Sequence, residues 1–156
     1  MQSALVGVNW NTTGMADGAA YRRTPASFDP RVAQLFEGIA ADELIGEKGA
    51  FLGAAASFEV DFANVLMGTP AHALVIATAM MPEKFFYAPF PILEALGSES
   101  KTTRLRADMV YFETGKGGAV FSASSIGWNG ALSHNGDQNT ASRLTANVMR
   151  SFIGHS

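Results

Sequence analysis

At 156 residues, 47% of them apolar and only 16% charged, the chain is long enough to bury a sizeable core as one domain or part of one, and its uncharged surface is expected to be partly covered. The net charge of -3 and the scatter of the 11 Lys and Arg residues leave no basic stripe for nucleic acid, and no run of about 18 apolar residues exists to cross a membrane as a helix. The absence of cysteine excludes disulfides, thiolate metal sites and cysteine nucleophiles; with no basic, signal-like start, a cytoplasmic location is expected.

Residues 1–28 show neither a helical nor a strand period and are rich in Gly, Ala, Thr and Asn. They are expected to form a loop or peripheral arm before an α/β body at 29–156. Asp29 followed by Pro30 reads as an N-cap with proline in the first turn, and Val32, Leu35, Phe36 and Ile39 recur at helical spacing, which predicts a short helix over residues 30 to about 38. Over residues 54–62, Ser57, Glu59 and Asp61 alternate with Phe58, Val60 and Phe62, the pattern of a half-buried strand. Residues 73–79, ALVIATA, form a continuous apolar run and predict a strand covered on both faces. Pro82, Pro89 and Pro91 break up the aromatic stretch at 85–90, so regular structure is not expected before 92–96, and GSESKTT at 97–103 reads as a loop. Two β-type runs, 109–113 and 119–123, flank the Gly-rich residues 114–118 and predict a hairpin. A polar loop then leads to a helix at about 138–153. In it Ala141, Leu144, Thr145, Val148, Met149 and Phe152 share a stripe expected to dock on a sheet, with Arg143, Asn147 and Arg150 opposite. Asp137 is the expected N-cap and Gly154 the C-terminal stop.

The turn Gly115-Lys116-Gly117-Gly118 lacks the phosphate-loop spacing and precedes a strand, so it reads as a hairpin turn. Ala123-Ser124-Ser125-Ile126-Gly127 approximates a nucleophile elbow, but a loop rather than a helix is expected after Ser125, and the serines read as a strand end. Glu59 and Asp61 point to one side of their strand, where they could bind a hard cation or divide acid and base roles; a solvated strand face is the plainer reading. Arg22-Arg23 could clamp an anion, or form a surface ion pair. His72, His134 and His155 form no HxH, HxxxH or HxxE motif, and His155 is expected to be inert. His134 and Asn135, in Ser133-His134-Asn135-Gly136, lie where α/β sheets hold ligands; the alternative is an Asn-Gly turn whose His satisfies a backbone carbonyl. The candidate catalytic residues are therefore His134, Asn135, Glu59 and Asp61, with no metal ligand assigned.

The hairpin, the Ser125-Ile126-Gly127-Trp128 turn, the Ser133-His134-Asn135-Gly136 loop and the final helix resemble the carboxyl-terminal part of the N,N-dimethylformamidase large (beta) subunit family. So do YRRTPAS from Tyr21, DPRVA from Asp29, Phe36-Glu37-Gly38, Ile45-Gly46 and GTPAHALV from Gly68. The resemblance covers nearly the whole chain, and those subunits are several times longer. It implies a hydrolase that splits N,N-dimethylformamide into formate and dimethylamine at a mononuclear iron centre, in a large subunit paired with a small one. The iron ligands it implies, two Tyr and one Glu, belong upstream and are not carried onto Tyr21, Tyr87, Tyr111 or Glu59, so no iron is expected in this chain alone. Asn129 and Asp137 depart from the family pattern, which often has Cys and Tyr there.

The expected fold is α/β: a mixed or mostly parallel sheet with flanking helices, resembling part of a class I glutamine-amidotransferase-like three-layer sandwich. A partial domain of that kind exposes an apolar face and a sheet edge. The expected partners are thus the missing upstream part of the large subunit, a small subunit and a second copy in a homo-oligomer, with no nucleic acid and no membrane. Three functions are open: the carboxyl-terminal portion of such an amidohydrolase, contributing fold and subunit contacts; a stand-alone, non-catalytic binding or assembly module; and a self-contained metallohydrolase in which Glu59, Asp61 and His134 converge.

Overall fold

The computed structural model describes residues 3–82 and 105–154. The expectations for 85–90, 92–96 and 97–103, and those for Tyr87 and His155, lie outside the described residues. In chain order the elements are α1 (Ser3–Val6), β1 (Asn9–Ala19), β2 (Arg22–Arg23), β3 (Ala56–Phe62), β4 (Leu74–Met80), β5 (Arg106–Glu113), β6 (Ala119–Ser122), α2 (Trp128–Leu132) and α3 (Thr140–Ile153).

Every strand pairing among the described residues is antiparallel. A four-stranded sheet runs β2-β4-β5-β6, and β1 and β3 form a second, two-stranded sheet. This corrects the expectation of a mostly parallel, three-layer sandwich of the glutamine-amidotransferase type. Parallel neighbours need a crossover of about a dozen residues or more, whereas β5 and β6 are joined by the short turn at 114–118, closed by Thr114 N–H donating to the Gly118 carbonyl at 2.7 Å.

The apolar run of β4 is covered on both faces, as its sequence suggested, within an antiparallel rather than a parallel sheet. On one face, Ala107, Met109 and Tyr111 of β5 and Ile76, Ala77 and Ala79 of β4 join the main core with Tyr21, Leu35, Ile45 and Leu144. On the other, Val110 and Phe112 join Val8 in a smaller cluster, with Val6, Val75 and Val120 packed against it. A bulge between Val75 and Ala77 is what puts Ile76 and Ala77 on the same side.

Residues 1–28 are not a loop or arm. They contain α1, which lies over the smaller cluster, and β1, an 11-residue strand paired with β3. Its pairing slips between Trp10 and Thr12 and again between Gly14 and Ala19, and such irregularities erase the two-residue period that would have marked it. The helix expected at 30 to about 38 is replaced by two 3-10 turns, Pro25–Phe28 and Ala33–Phe36. Asp29 still acts locally, its carboxylate accepting from Arg31 N–H at 3.0 Å, but apart from Ala33 N–H to the Asp29 carbonyl the bonds that follow span three residues, as in Ile39 N–H to the Phe36 carbonyl at 3.0 Å.

Strand β3 is found as expected, except that Phe58 has φ +63°. The kink buries Ser57 on what had read as the polar face. After β6, Ser124 also takes a positive φ, +61°, and the chain turns to pair with β3: Asp61 N–H donates to the Ser124 carbonyl at 2.9 Å and Gly127 N–H to the Ser57 carbonyl at 3.3 Å. Gly127 fits only because it lacks a side chain, since a Cβ there would lie 1.9 Å from Ser57 Oγ. The loop expected at 127–130 is instead the start of α2.

The last helix is present with two corrections. Its N-cap is Asn139, whose side chain accepts from Ser142 N–H, rather than Asp137. Its inner face carries Ala141, Leu144, Asn147 and Val148, while Met149 and Phe152 are exposed. Its main neighbours are the Ala33–Phe36 turn and α2.

Candidate functional site

A cleft of about 440 Å³ opens where the segment after Pro30, the end of β5 and the end of α3 meet; Arg31, Gln34, Tyr111, Glu113, Arg150 and Ser151 contribute to its lining. Arg31 is fixed by a bidentate pair with Asp29, Nε to Oδ1 at 2.9 Å and Nη2 to Oδ2 at 2.7 Å. That hydrogen bonding holds the Asp29 carboxyl down at about 2 and raises the Arg31 guanidinium above its usual range. Burial, reinforced by the Glu113 charge, pushes the Tyr111 hydroxyl up, so Tyr111 stays protonated and serves as a hydrogen-bonding group rather than a base. Arg150 donates through Nη1 to Asn147 Oδ1 at 3.1 Å. With Arg31 and Arg150 set against Asp29 and Glu113 the formal charges cancel. The recess is polar and open, suited to contact rather than to concentrating an ion.

The candidates Glu59 and Asp61 are brought together. They stand on one side of β3, both partly buried. Burial first, then the Glu59 charge, pushes the Asp61 carboxyl up to about 6 from its ordinary 3.8. The pair is therefore less solvated than an exposed strand face would be. Behind it the wholly buried Tyr21 donates its hydroxyl to the Ala123 carbonyl at 2.6 Å and meets Trp128 edge-on, ring centroids 6.0 Å apart.

The raised carboxyl of Asp61 suits an acid–base role, but His134 and Asn135 do not join the pair. His134 and Asn135 lie in an exposed turn before α3. Asn135 takes φ +55° and donates to the Gln138 carbonyl at 3.2 Å, while the His134 carbonyl accepts from Asn139 Nδ2 at 2.7 Å. That is the Asn-Gly turn alternative, with the His134 backbone rather than its ring bonded. Among the described residues no group of three or more His, Asp or Glu side chains could hold a metal ion, so Glu59, Asp61 and His134 do not converge. The two Tyr and one Glu implied by the resemblance as iron ligands are not brought together among the described residues: Tyr111 and Glu113 share the cleft, but the Tyr21 hydroxyl is sealed in the core.

Ser125 is a structural hydroxyl. Its Oγ accepts from Ser57 N–H at 2.9 Å and donates to the Ser57 carbonyl at 2.8 Å, joining the post-β6 segment to β3. Arg23 forms no ion pair among the described residues. Its guanidinium lies 4.4 Å from the Phe28 ring centroid and 4.2 Å from that of Phe36, and donates to Ser27 Oγ and the Ile39 carbonyl, each at 3.1 Å. His72 Nε2 contacts the Glu113 carbonyl at 3.0 Å.

Two features escaped the sequence. The cleft is assembled from three distant segments and leaves no local motif. Asp108 is the other: only 1% exposed, it accepts from Ala63 N–H at 3.0 Å, Thr78 Oγ1 at 2.9 Å and Arg106 Nε at 2.8 Å. The available signal was an acid inside a strand pattern, one residue before the run at 109–113.

A family model described as N,N-dimethylformamidase beta subunit-like, C-terminal, matches residues 1–141. Two relatives are N,N-dimethylformamidase beta subunits: that of Alcaligenes sp is 35% identical over 153 residues, and that of Paracoccus aminophilus is 34% identical over 152. Each alignment covers 94% of this chain and 20% of the relative, so the chain spans one fifth of the length of the curated relatives it matches. No helix among the described residues is long and apolar enough to cross a membrane.

Proposed function

Since the chain belongs to the N,N-dimethylformamidase beta subunit-like, C-terminal family, we propose that it supplies the carboxyl-terminal portion of an amide hydrolase of that type, contributing fold and subunit contacts while the reacting groups lie in the rest of the enzyme. One observation carries the reading: the match takes in 94% of this chain yet only 20% of either relative.

In the complete enzyme, water oxygen adds to the formyl carbon of N,N-dimethylformamide and the C–N bond breaks. The nitrogen leaves as dimethylamine with one proton from that water and formic acid remains, which ionises to formate as its proton passes to the amine. On this reading the iron of the complete enzyme is held outside the described residues, and the chain's partners are the upstream part of a beta-type subunit and a small subunit. The cysteine-free composition fits work in the cytoplasm.

The test is complementation. The Paracoccus aminophilus beta subunit, shortened by the segment this chain matches, is produced with its companion subunit, with and without this chain, and dimethylamine release is measured. The expected result is release only when this chain is added, and none from this chain by itself. Release by the chain alone would place the chemistry within it and overturn the reading, as would failure of the chain to restore any activity.

A further inference from the structure

The segment that follows β3 is a rigid frame around three outward apolar side chains. Asn64 caps the 3-10 turn Val65–Met67, its Oδ1 accepting from Leu66 N–H at 2.9 Å. The Asn64 carbonyl accepts from Met67 N–H at 3.0 Å and Thr69 N–H at 3.1 Å. Thr69 Oγ1 accepts from Asn64 N–H at 2.9 Å and donates to the Gly7 carbonyl at 2.8 Å. The Ser3 hydroxyl of α1 donates to the Met67 carbonyl, and Gly68, at φ +103°, closes the turn. The polar groups are thus spent inward. Val65 is 59% exposed, Leu66 97% and Met67 50%, and on the adjoining α1 Leu5 is 74% exposed.

We infer that Val65, Leu66 and Met67, with Leu5, form a docking surface for the upstream portion of the longer family polypeptide, received there in an uncharged apolar recess. The inference rests on the reading of this chain as a carboxyl-terminal portion and adds which face meets the rest. Three observations favour that occupant. Four fifths of each relative's length lies outside the match, and that is the polypeptide from which a covering partner in a longer member would come. The family model is a C-terminal one, so in a longer member the rest of the polypeptide precedes the matched part, whose first described element, α1, is bonded to this turn through Ser3. The turn is also held by its own hydrogen bonds, so burying its side chains requires little further ordering of backbone, which is where preorganised contacts gain affinity. Another exposed apolar group, Met149 and Ile153 on α3, adjoins the charge-balanced cleft.

The experiment mixes the purified 156-residue chain with the Paracoccus aminophilus beta subunit lacking the matched segment, and measures association by sedimentation velocity. Three forms are compared: the unaltered chain, Leu66→Asp and Met149→Asp. Both positions are exposed, and thermal melts confirm that the variants are folded. The expected result is a complex with the unaltered chain and with Met149→Asp, and at least a tenfold weaker one with Leu66→Asp. Equal binding by Leu66→Asp would overturn the surface while leaving the carboxyl-terminal reading in place. No complex with the unaltered chain would overturn both. Self-association of the chain that Leu66→Asp abolishes would assign the surface to a second copy instead.

Discussion

At the scale of single residues, Asp108 is the side chain on which most depends. It joins the end of β3, through Ala63, to β4 and β5 with three hydrogen bonds, of which the one from Arg106 is also an ion pair. Removing one partner of a buried charge network costs about 3–5 kcal/mol, because the remaining donors are stranded; the partial exposure of Arg106 places this case at about 3. Asp108→Ala should lower the unfolding free energy in urea by that amount, and Asp108→Asn should recover only part of it. A loss below about 1 kcal/mol in Asp108→Ala would show that the donors find water. Asp61 carries the opposite sign. Its carboxyl is pushed up from 3.8 to about 6 by burial and Glu59, so between those values the folded state holds a proton that the unfolded state has released. Stability then falls as pH rises through the window, at a fraction of about 1.4 kcal/mol per pH unit because the group is partly solvated. Unfolding measured at pH 5 and pH 7 should show the unaltered chain gaining stability at the lower pH and Asp61→Asn gaining less. Identical differences in the two proteins would remove Asp61 as the cause. The sequence disclosed that Glu59 and Asp61 share a face, but not that Phe58 would kink the strand and bury Ser57 beside them.

At the scale of elements, legibility followed locality. The hairpin of β5 and β6 was readable because its turn, its register and both strands lie within about 20 residues, and the two-residue period fixes which side chains face inward. The long helix α3 was readable for a similar reason, since its period needs no distant partner. Its inward face was harder to place. Asn147 reads as polar and outward, yet it is buried because the 3-10 turn below ends in open carbonyls: its Nδ2 donates to Leu35 at 3.0 Å and to Glu37 at 2.9 Å. A 3-10 turn leaves carbonyls that the next element must satisfy, and here α3 does so. Asn147→Leu should therefore destabilise the fold by about 2 kcal/mol despite adding apolar surface, through one buried and one part-buried acceptor left unpaired. A urea midpoint equal to that of the unaltered chain would mean that solvent reaches those carbonyls.

At the scale of the whole molecule, topology was the least legible feature. Residues 73–79 read equally well as a parallel strand or as the interior of an antiparallel sheet with both faces covered, because only burial is encoded locally and not the direction of the neighbour. The cover on the second face comes from α1 and the start of β1, the region whose slipped pairing had hidden its strand. The functional groups follow the same logic: Arg31, Tyr111 and Arg150 meet in one cleft from three regions of the chain, while His134 and Glu59, each suggestive alone, stay apart. An iron site within this segment would need ligands converging from such distant strands, and the described residues offer no His, Asp or Glu group of that kind. The chain incubated with ferrous iron and desalted is therefore expected to retain far less than one atom per molecule by plasma mass spectrometry. Treatment with EDTA should leave its melting temperature within about 1 °C, since a ligand that does not bind the native state contributes nothing to its stability. Stoichiometric iron, lost with a fall in melting temperature, would move the metal centre into this fifth of the family's polypeptide and with it the chemistry assigned to the remainder.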